Sequence, residues 1–524
     1  MKKLHSLMVI LPALSLWGCG GGEGGGSSQP VAKYNFSFVA LYETERNTLP
    51  AECAIFDSRP IYKENEDSDD KVIDKYSLVL AARSETNNLK VLIHDKTGKV
   101  IQEYASGSSS WTNSGLSFPQ SQVPSNGYIT ISYQTTRQGS GTALVDAVTY
   151  HKSLLTSTMQ FSTLARPVSE ALSSCIKESR TSFAKRKQSI DDRGDARGVF
   201  AFNTPEQNYW SLSPLNVDLE ISSKPLLAVR YESLPTDNRE NINSSFSQEQ
   251  YRKLEEYRIV ATRELGSRPI ELNSVGDKSN DDFPLWSYSD TSASLNSAQL
   301  WVRHSNNAYF WQSLPKSGSV TFSYASDFAR NYVLKTQGAN QGWSFVHNAR
   351  LDGSEVWNQR PQDGINYNFV INDISKPSAN PVQTFPCRTS ECESGRYLEA
   401  YLGDADKKYT LQRNFLLVEN GPGQQIRQVI YTPPTRQVIL PSYANGMIDG
   451  LWSGNIALSQ VDLVQGNQNV RRAFLRKYSD PVKQAKNIFE LDPNVDGLGL
   501  IATLDTKQKD LSLIGTESYL LLSK

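Results

Sequence analysis

Short runs of alternating apolar and polar residues recur along the chain from Tyr34 onward. The first is Tyr34-Asn35-Phe36-Ser37-Phe38-Val39-Ala40-Leu41. A period of two places alternate side chains on one face of an extended strand. Val91-Leu92-Ile93-His94, then Asp95-Lys96-Thr97-Gly98, then Lys99 to Tyr104 predicts a hairpin. Gly98 stands where a type I turn with a bulge needs a left-handed residue. Further β-like runs are Leu226 to Tyr231, Leu300 to Arg303, Val320 to Tyr324, Phe415 to Val418, Gln428 to Tyr431, Leu498 to Leu504 and Tyr519 to Leu522. Two segments read as helices. Residues 247–265 open on a Ser247/Gln250 capping box, stop before Gly266, and carry Tyr251, Leu254, Tyr257, Ala261 and Leu265 as one apolar stripe. The second runs from about 168 to 178. The expected fold class is mainly β: serial β-sandwich-like domains with a few helices.

Organisation follows from shifts in this pattern. A β domain with a terminal helix covers 34–178, and a charged, apolar-poor linker or loop covers 179–198. A second β domain with an inserted helix covers 199–375 and is rich in tryptophan. A C-terminal β-rich domain covers 376–524. A faint repeat aligns Val123 to Tyr133 with Leu314 to Tyr324, and Leu440 to Gly446 echoes its turn. Shared turn chemistry explains that likeness as well as common descent does.

The pattern differs before residue 34. Lys2 and Lys3 precede an apolar run from Leu7 to Trp17 that is too short to span a bilayer. A positive start, a short apolar core and a small residue before a cut describe a secretory leader. The tetrad Leu16-Trp17-Gly18-Cys19 resembles the lipobox of bacterial lipoproteins, although Trp17 is larger than usual there. The resemblance implies an 18-residue signal peptide, cleavage before Cys19, and acyl chains on that cysteine that hold the protein on a membrane. Gly20 in place of Asp implies delivery to the outer membrane, on its periplasmic or its cell-surface face. Residues 19–33 are rich in glycine and read as a flexible tether.

Charge is balanced, with 54 basic and 55 acidic residues in the full chain. Nothing suggests a nucleic-acid partner, which would want a basic surface. With Cys19 assigned to lipid, Cys53, Cys175, Cys387 and Cys392 remain. An even count in an exported chain favours disulfides. Cys387 and Cys392 are close enough to close a local loop, which pairs Cys53 with Cys175; free thiols or another connectivity are the alternatives. The chain-entropy model gives roughly 2 kcal/mol for the short loop and roughly 5 kcal/mol for the long one.

Candidate chemistry is sparse. His94, His151, His304 and His347 share no metal-ligand spacing, and the sequence contains no nucleophile elbow, phosphate loop or dinucleotide fingerprint. Asp492-Pro493-Asn494-Val495-Asp496-Gly497 matches the first half of a calcium loop, with Asp492, Asn494 and Asp496 as the ligand candidates. Thr503 stands where such a loop needs a bidentate Glu, so an Asx-rich turn is the competing reading. Apart from calcium no cofactor is expected. Arg193-Gly194-Asp195 spells an integrin-type triplet inside a loop rich in Arg and Asp. Trp286, Trp301, Trp311, Trp343 and Trp357 could stack on sugars, but core packing explains most of them better. These features favour a lipid-anchored, non-enzymatic outer-membrane protein with a binding, adhesion or coat role and a protein or glycan partner. A lipid-anchored glycan-binding protein or hydrolase is the alternative.

Overall fold

In the computed structural model the described residues lie between 31 and 523. Outside them stand 1–30, 168–184 apart from Cys175, 191–197, 203–207, 221–224, 233–252, 262–267, 276–284, 352–364, 368–373, 376–383, 404–408, 444–454, 476–517 and shorter stretches. The described fold is mainly β and contains several sheets.

The largest sheet has twelve strands. Across it the order is Asn307–Ser313, Ala293–His304, Tyr332–Asn340, Trp343–Arg350, Ser518–Leu522, Asn455–Gly466, Leu411–Glu419, Gln424–Thr432, Ala143–His151, Tyr128–Thr136, Leu89–His94 and Val100–Ala105. Its strands come from all three of the long β stretches read in the sequence. Every neighbouring pair is antiparallel except one: Gln424–Thr432 runs parallel to Ala143–His151, in register from Gln424 opposite Ala143 to Tyr431 opposite Tyr150. That parallel seam joins strands from 89–151 to strands from 293–522.

Period-two patterning places a different core on each face of this sheet. Val91, Ile93, Ile129, Ile131, Val148 and Val429 face one core together with Tyr34, Phe36, Phe118 and Phe161 of a six-stranded sheet. Leu92, Val145, Leu416, Ile426, Ile430 and Val461 face the other, with Leu398, Val438 and Leu440. The aromatic residues of the first core interlock: the Phe36 ring lies 5.4 Å from Phe118 and stands perpendicular to it. Such edge-to-face pairs add about 1 kcal/mol beyond area burial.

The six-stranded sheet holds the first described strand, Lys33–Arg46. It is parallel to Thr158–Pro167 on one side. On the other it is antiparallel to Gly115–Pro119 at its start, and its second half pairs antiparallel with Ser68–Arg83.

The hairpin of residues 89–105 forms as its sequence predicts. Asp95 Oδ1 accepts from the amides of Thr97 at 2.8 Å and Lys99 at 3.1 Å, and Gly98 adopts φ 81°. The register slips between Ile93 and His94, which is the expected bulge.

The helix expected over 247–265 is a correction. Leu254–Val260 is a strand, antiparallel to Leu226–Tyr231. Leu254 and Tyr257 face one core across a register shift opposite Arg230 and Tyr231, and Val260 is buried on the other face, so the three-residue spacing imitates a helical stripe. Residues 247–252 lie outside the described set, as does 168–178 except Cys175. The one described α-helix, Gln468–Leu475, went unread. Asn467 caps it by accepting from the amides of Asn469 and Val470 at 2.9 and 3.1 Å, while Val470 and Phe474 are buried.

The repeated Pro–Gly turns are not built alike. Gly318 has φ 78° and open space around it. Gly127 is needed for closeness, because a Cβ there would meet the His94 carbonyl oxygen at 2.4 Å.

Candidate functional site

The most organised polar arrangement is a chain of side chains on one face of the twelve-stranded sheet. It begins at Tyr443, whose hydroxyl donates to Gln428 Oε1 at 2.6 Å. Gln428 Nε2 donates to Thr149 Oγ1 at 3.1 Å. The hydroxyls of Thr149 and Thr130 lie 2.7 Å apart, and Thr130 Oγ1 lies 2.8 Å from His94 Nε2. His94 Nδ1 is 3.1 Å from the Gly98 carbonyl oxygen. A carbonyl only accepts, so Nδ1 carries the proton and Nε2 accepts from Thr130, a tautomer fixed by its partners. Each donor then points the same way, from Tyr443 to the hairpin turn. The Ser442 amide also donates to Gly98 O, at 2.8 Å, so the residues on either side of this turn are drawn together.

Strand alternation sets these positions. Thr130, Thr149 and Gln428 share a face with Leu92 and Ile430. Burial pushes the His94 pKa down to about 4, against smaller opposing contributions from its Gly98 hydrogen bond and the Asp95 charge. The imidazole is therefore neutral near pH 7. Burial also raises the Tyr443 hydroxyl, which stays protonated. The chain has the chemistry of an interlock: its groups are spent on one another inside the core.

The opposite face carries two buried ion pairs. Arg427 donates from Nε and Nη2 to both oxygens of Asp146, each at 2.7 Å, across the parallel seam. Arg413 Nη1 donates to Asp462 Oδ2 at 2.6 Å. On the same face Tyr150 and Tyr431 stack with centroids 5.1 Å apart, Tyr431 opposite Arg413. A third pair, Arg230 with Glu256 at 2.8 Å, joins the Leu226–Tyr231 and Leu254–Val260 strands. Sequence reading missed all of these. The only available signal was a charged or amide residue inside an apolar strand, which names no partner.

Of the residues singled out in the sequence, Cys53 and Cys175 form a disulfide with Cα atoms 5.6 Å apart. Cys387 and Cys392 form a second, with Cα atoms 6.2 Å apart. The short loop rests on the 95–99 turn, where the Glu393 amide donates to Thr97 O at 2.9 Å. Trp286, Trp311 and Trp343 are fully buried, and Trp301 is nearly so. The indole Nε1 groups of Trp286 and Trp311 donate to the carbonyl oxygens of Pro315 and Ser323. None of these four presents a stacking face to a glycan. Cys19, Arg193-Gly194-Asp195, Trp357 and the calcium candidates Asp492, Asn494 and Asp496 lie outside the described residues. Among the described residues no three His, Cys, Asp or Glu side chains gather to hold a metal, and no helix is long and apolar enough to cross a membrane.

No family of known proteins matches the sequence, and no curated protein matches it. Among solved structures, a tetra-tandem repeat from the extending region of a large adhesion protein overlaps 83% of this chain and 96% of its own, at 10% identity. The TM-score of that overlap is 0.13, too low to carry an argument about fold or function.

Proposed function

We propose that this chain is a lipid-anchored, non-enzymatic protein of the outer membrane with a binding, adhesion or coat role. The reading starts from the Leu16-to-Cys19 tetrad and the glycine run behind it, which together describe a body on a membrane tether. The observation that carries the role is how the body spends its polar groups. His94, Thr130, Thr149 and Gln428, and the Asp146–Arg427 pair, are buried in cross-strand bonds that tie distant parts of the chain into one sheet. A scaffold that must hold its shape outside the cytoplasm gains from such bonds and from its two disulfides.

Protease treatment of intact cells tests the role. Digestion of the folded body on whole cells is the expected result and fits adhesion or a coat. Digestion only after the outer membrane is opened would overturn a surface role and point to a periplasmic one.

A further inference from the structure

Lys33–Arg46 is the first described strand after the glycine run, so it is where a pull through the tether meets the fold. The strand has no free edge at its start. Lys33 faces Pro119 on one side, Asn35 faces Thr158 on the other, and the Asn35 amide donates to Ser157 O at 2.8 Å. Peeling breaks two ladders at once at Asn35–Phe36 and again at Val39–Glu43. Lys33–Arg46 and its parallel neighbour Thr158–Pro167 end in the same direction. Shortly beyond those ends come Cys53 and Cys175, joined by the disulfide. The bond therefore connects the tether-bearing strand to its neighbour and closes a span with a sequence separation of 122.

We propose that the Cys53–Cys175 disulfide is a load bypass. While Lys33–Arg46 is in place, tension entering through the tether is shared with its paired strands; once residues 33–52 are drawn out, it crosses at Cys53 to Cys175, and the span between them is not stretched. A covalent cross-link transmits force without lengthening, so the enclosed chain yields no slack while the bond is intact. That span contains Leu89–His94, Val100–Ala105, Tyr128–Thr136 and Ala143–His151, which form one end of the twelve-stranded sheet and include Asp146. The shielded part is thus the half of the seam that Arg427 grips. The slack available before the bond takes the load is residues 33–52, about 70 Å of extended chain. The inference rests on the tethered reading, since without an anchor no force enters at this strand.

The test pulls the full chain from residue 19 to residue 524 in an optical trap, with and without reductant. With the bond intact, the first extension is expected to stop at or below about 70 Å. Reductant added to the stretched, oxidised molecule is expected to release the enclosed span, about 430 Å, only in later discrete events, because that span is still folded. Release of the whole length at the instant of bond cleavage would overturn the proposal. In a Cys53→Ser, Cys175→Ser chain the span is expected to extend under loads the oxidised protein withstands; equal resistance would also overturn it. The handle replaces the lipid here, so the outcome is independent of whether Cys19 is acylated. That question is settled separately by fractionating cells that express Cys19→Ala.

Discussion

Arg427 and Asp146 lie 281 residues apart in sequence and meet through two parallel hydrogen bonds of 2.7 Å inside the core. Their strands form the single parallel pair of the twelve-stranded sheet, so the ion pair sits on the seam between its early and late strands. Removing one partner of a buried pair leaves an uncompensated charge, which costs about 3–5 kcal/mol. Asp146→Ala should therefore lower unfolding stability by that amount in urea titrations. Replacing both residues by leucine should restore most of the loss, because the desolvation cost disappears along with the attraction. A single variant as stable as wild type would show that the seam does not depend on the pair.

His94 sets a pH window. Its pKa is about 4 in the fold against 6.5 for the free side chain. Between those values the unfolded chain binds the extra proton, so stability rises with pH through the window. The contribution is complete above about 6.5 and is lost progressively as pH falls to about 4, reaching about 3 kcal/mol. Urea midpoints of wild type and His94→Gln, compared at pH 7 and pH 4.5, should converge at the lower pH. A gap that stays constant across the window would contradict the buried neutral imidazole.

Gly98 and Gly107 separate two costs of a side chain. Both have positive φ, 81° and 83°. A Cβ at Gly107 meets nothing within 4 Å, whereas at Gly98 it meets Leu440 O and Pro441 Cα at 3.1 Å. Gly107→Ala should cost about 1 kcal/mol, from backbone conformation alone. Gly98→Ala should cost more, because the 437–443 segment must also give way. Equal losses in thermal unfolding would mean that this approach has no energetic weight.

The Cys387–Cys392 loop should act locally. Replacing both by serine should cost about 2 kcal/mol on the chain-entropy account. Hydrogen exchange should quicken first at the Glu393 amide, which bonds to Thr97 O. Unchanged protection there would detach the loop from the hairpin turn.

Legibility in the sequence followed the range of the interactions. The 95–99 turn could be read because Asp95, Thr97 and Gly98 supply its bonds and its backbone conformation within five residues. Strand runs such as Val91-Leu92-Ile93 were legible from apolar content, although that content did not reveal that Leu92 faces a different core from its neighbours. Residues 254–260 misled because a bulge puts Leu254 and Tyr257 in one core and burial of the other face adds Val260, which leaves the three spaced as on a helix. The Asp146–Arg427 seam and the run from His94 to Tyr443 were illegible, since each polar residue's partner is chosen by sheet order and not by anything nearby in sequence.

The tether through Cys19 is the central claim, and membrane fractionation with lipid labelling tests it most directly. Wild-type protein should sediment with outer membranes and incorporate labelled palmitate, while Cys19→Ala should do neither. Palmitate incorporation or outer-membrane retention that survives Cys19→Ala would contradict the account.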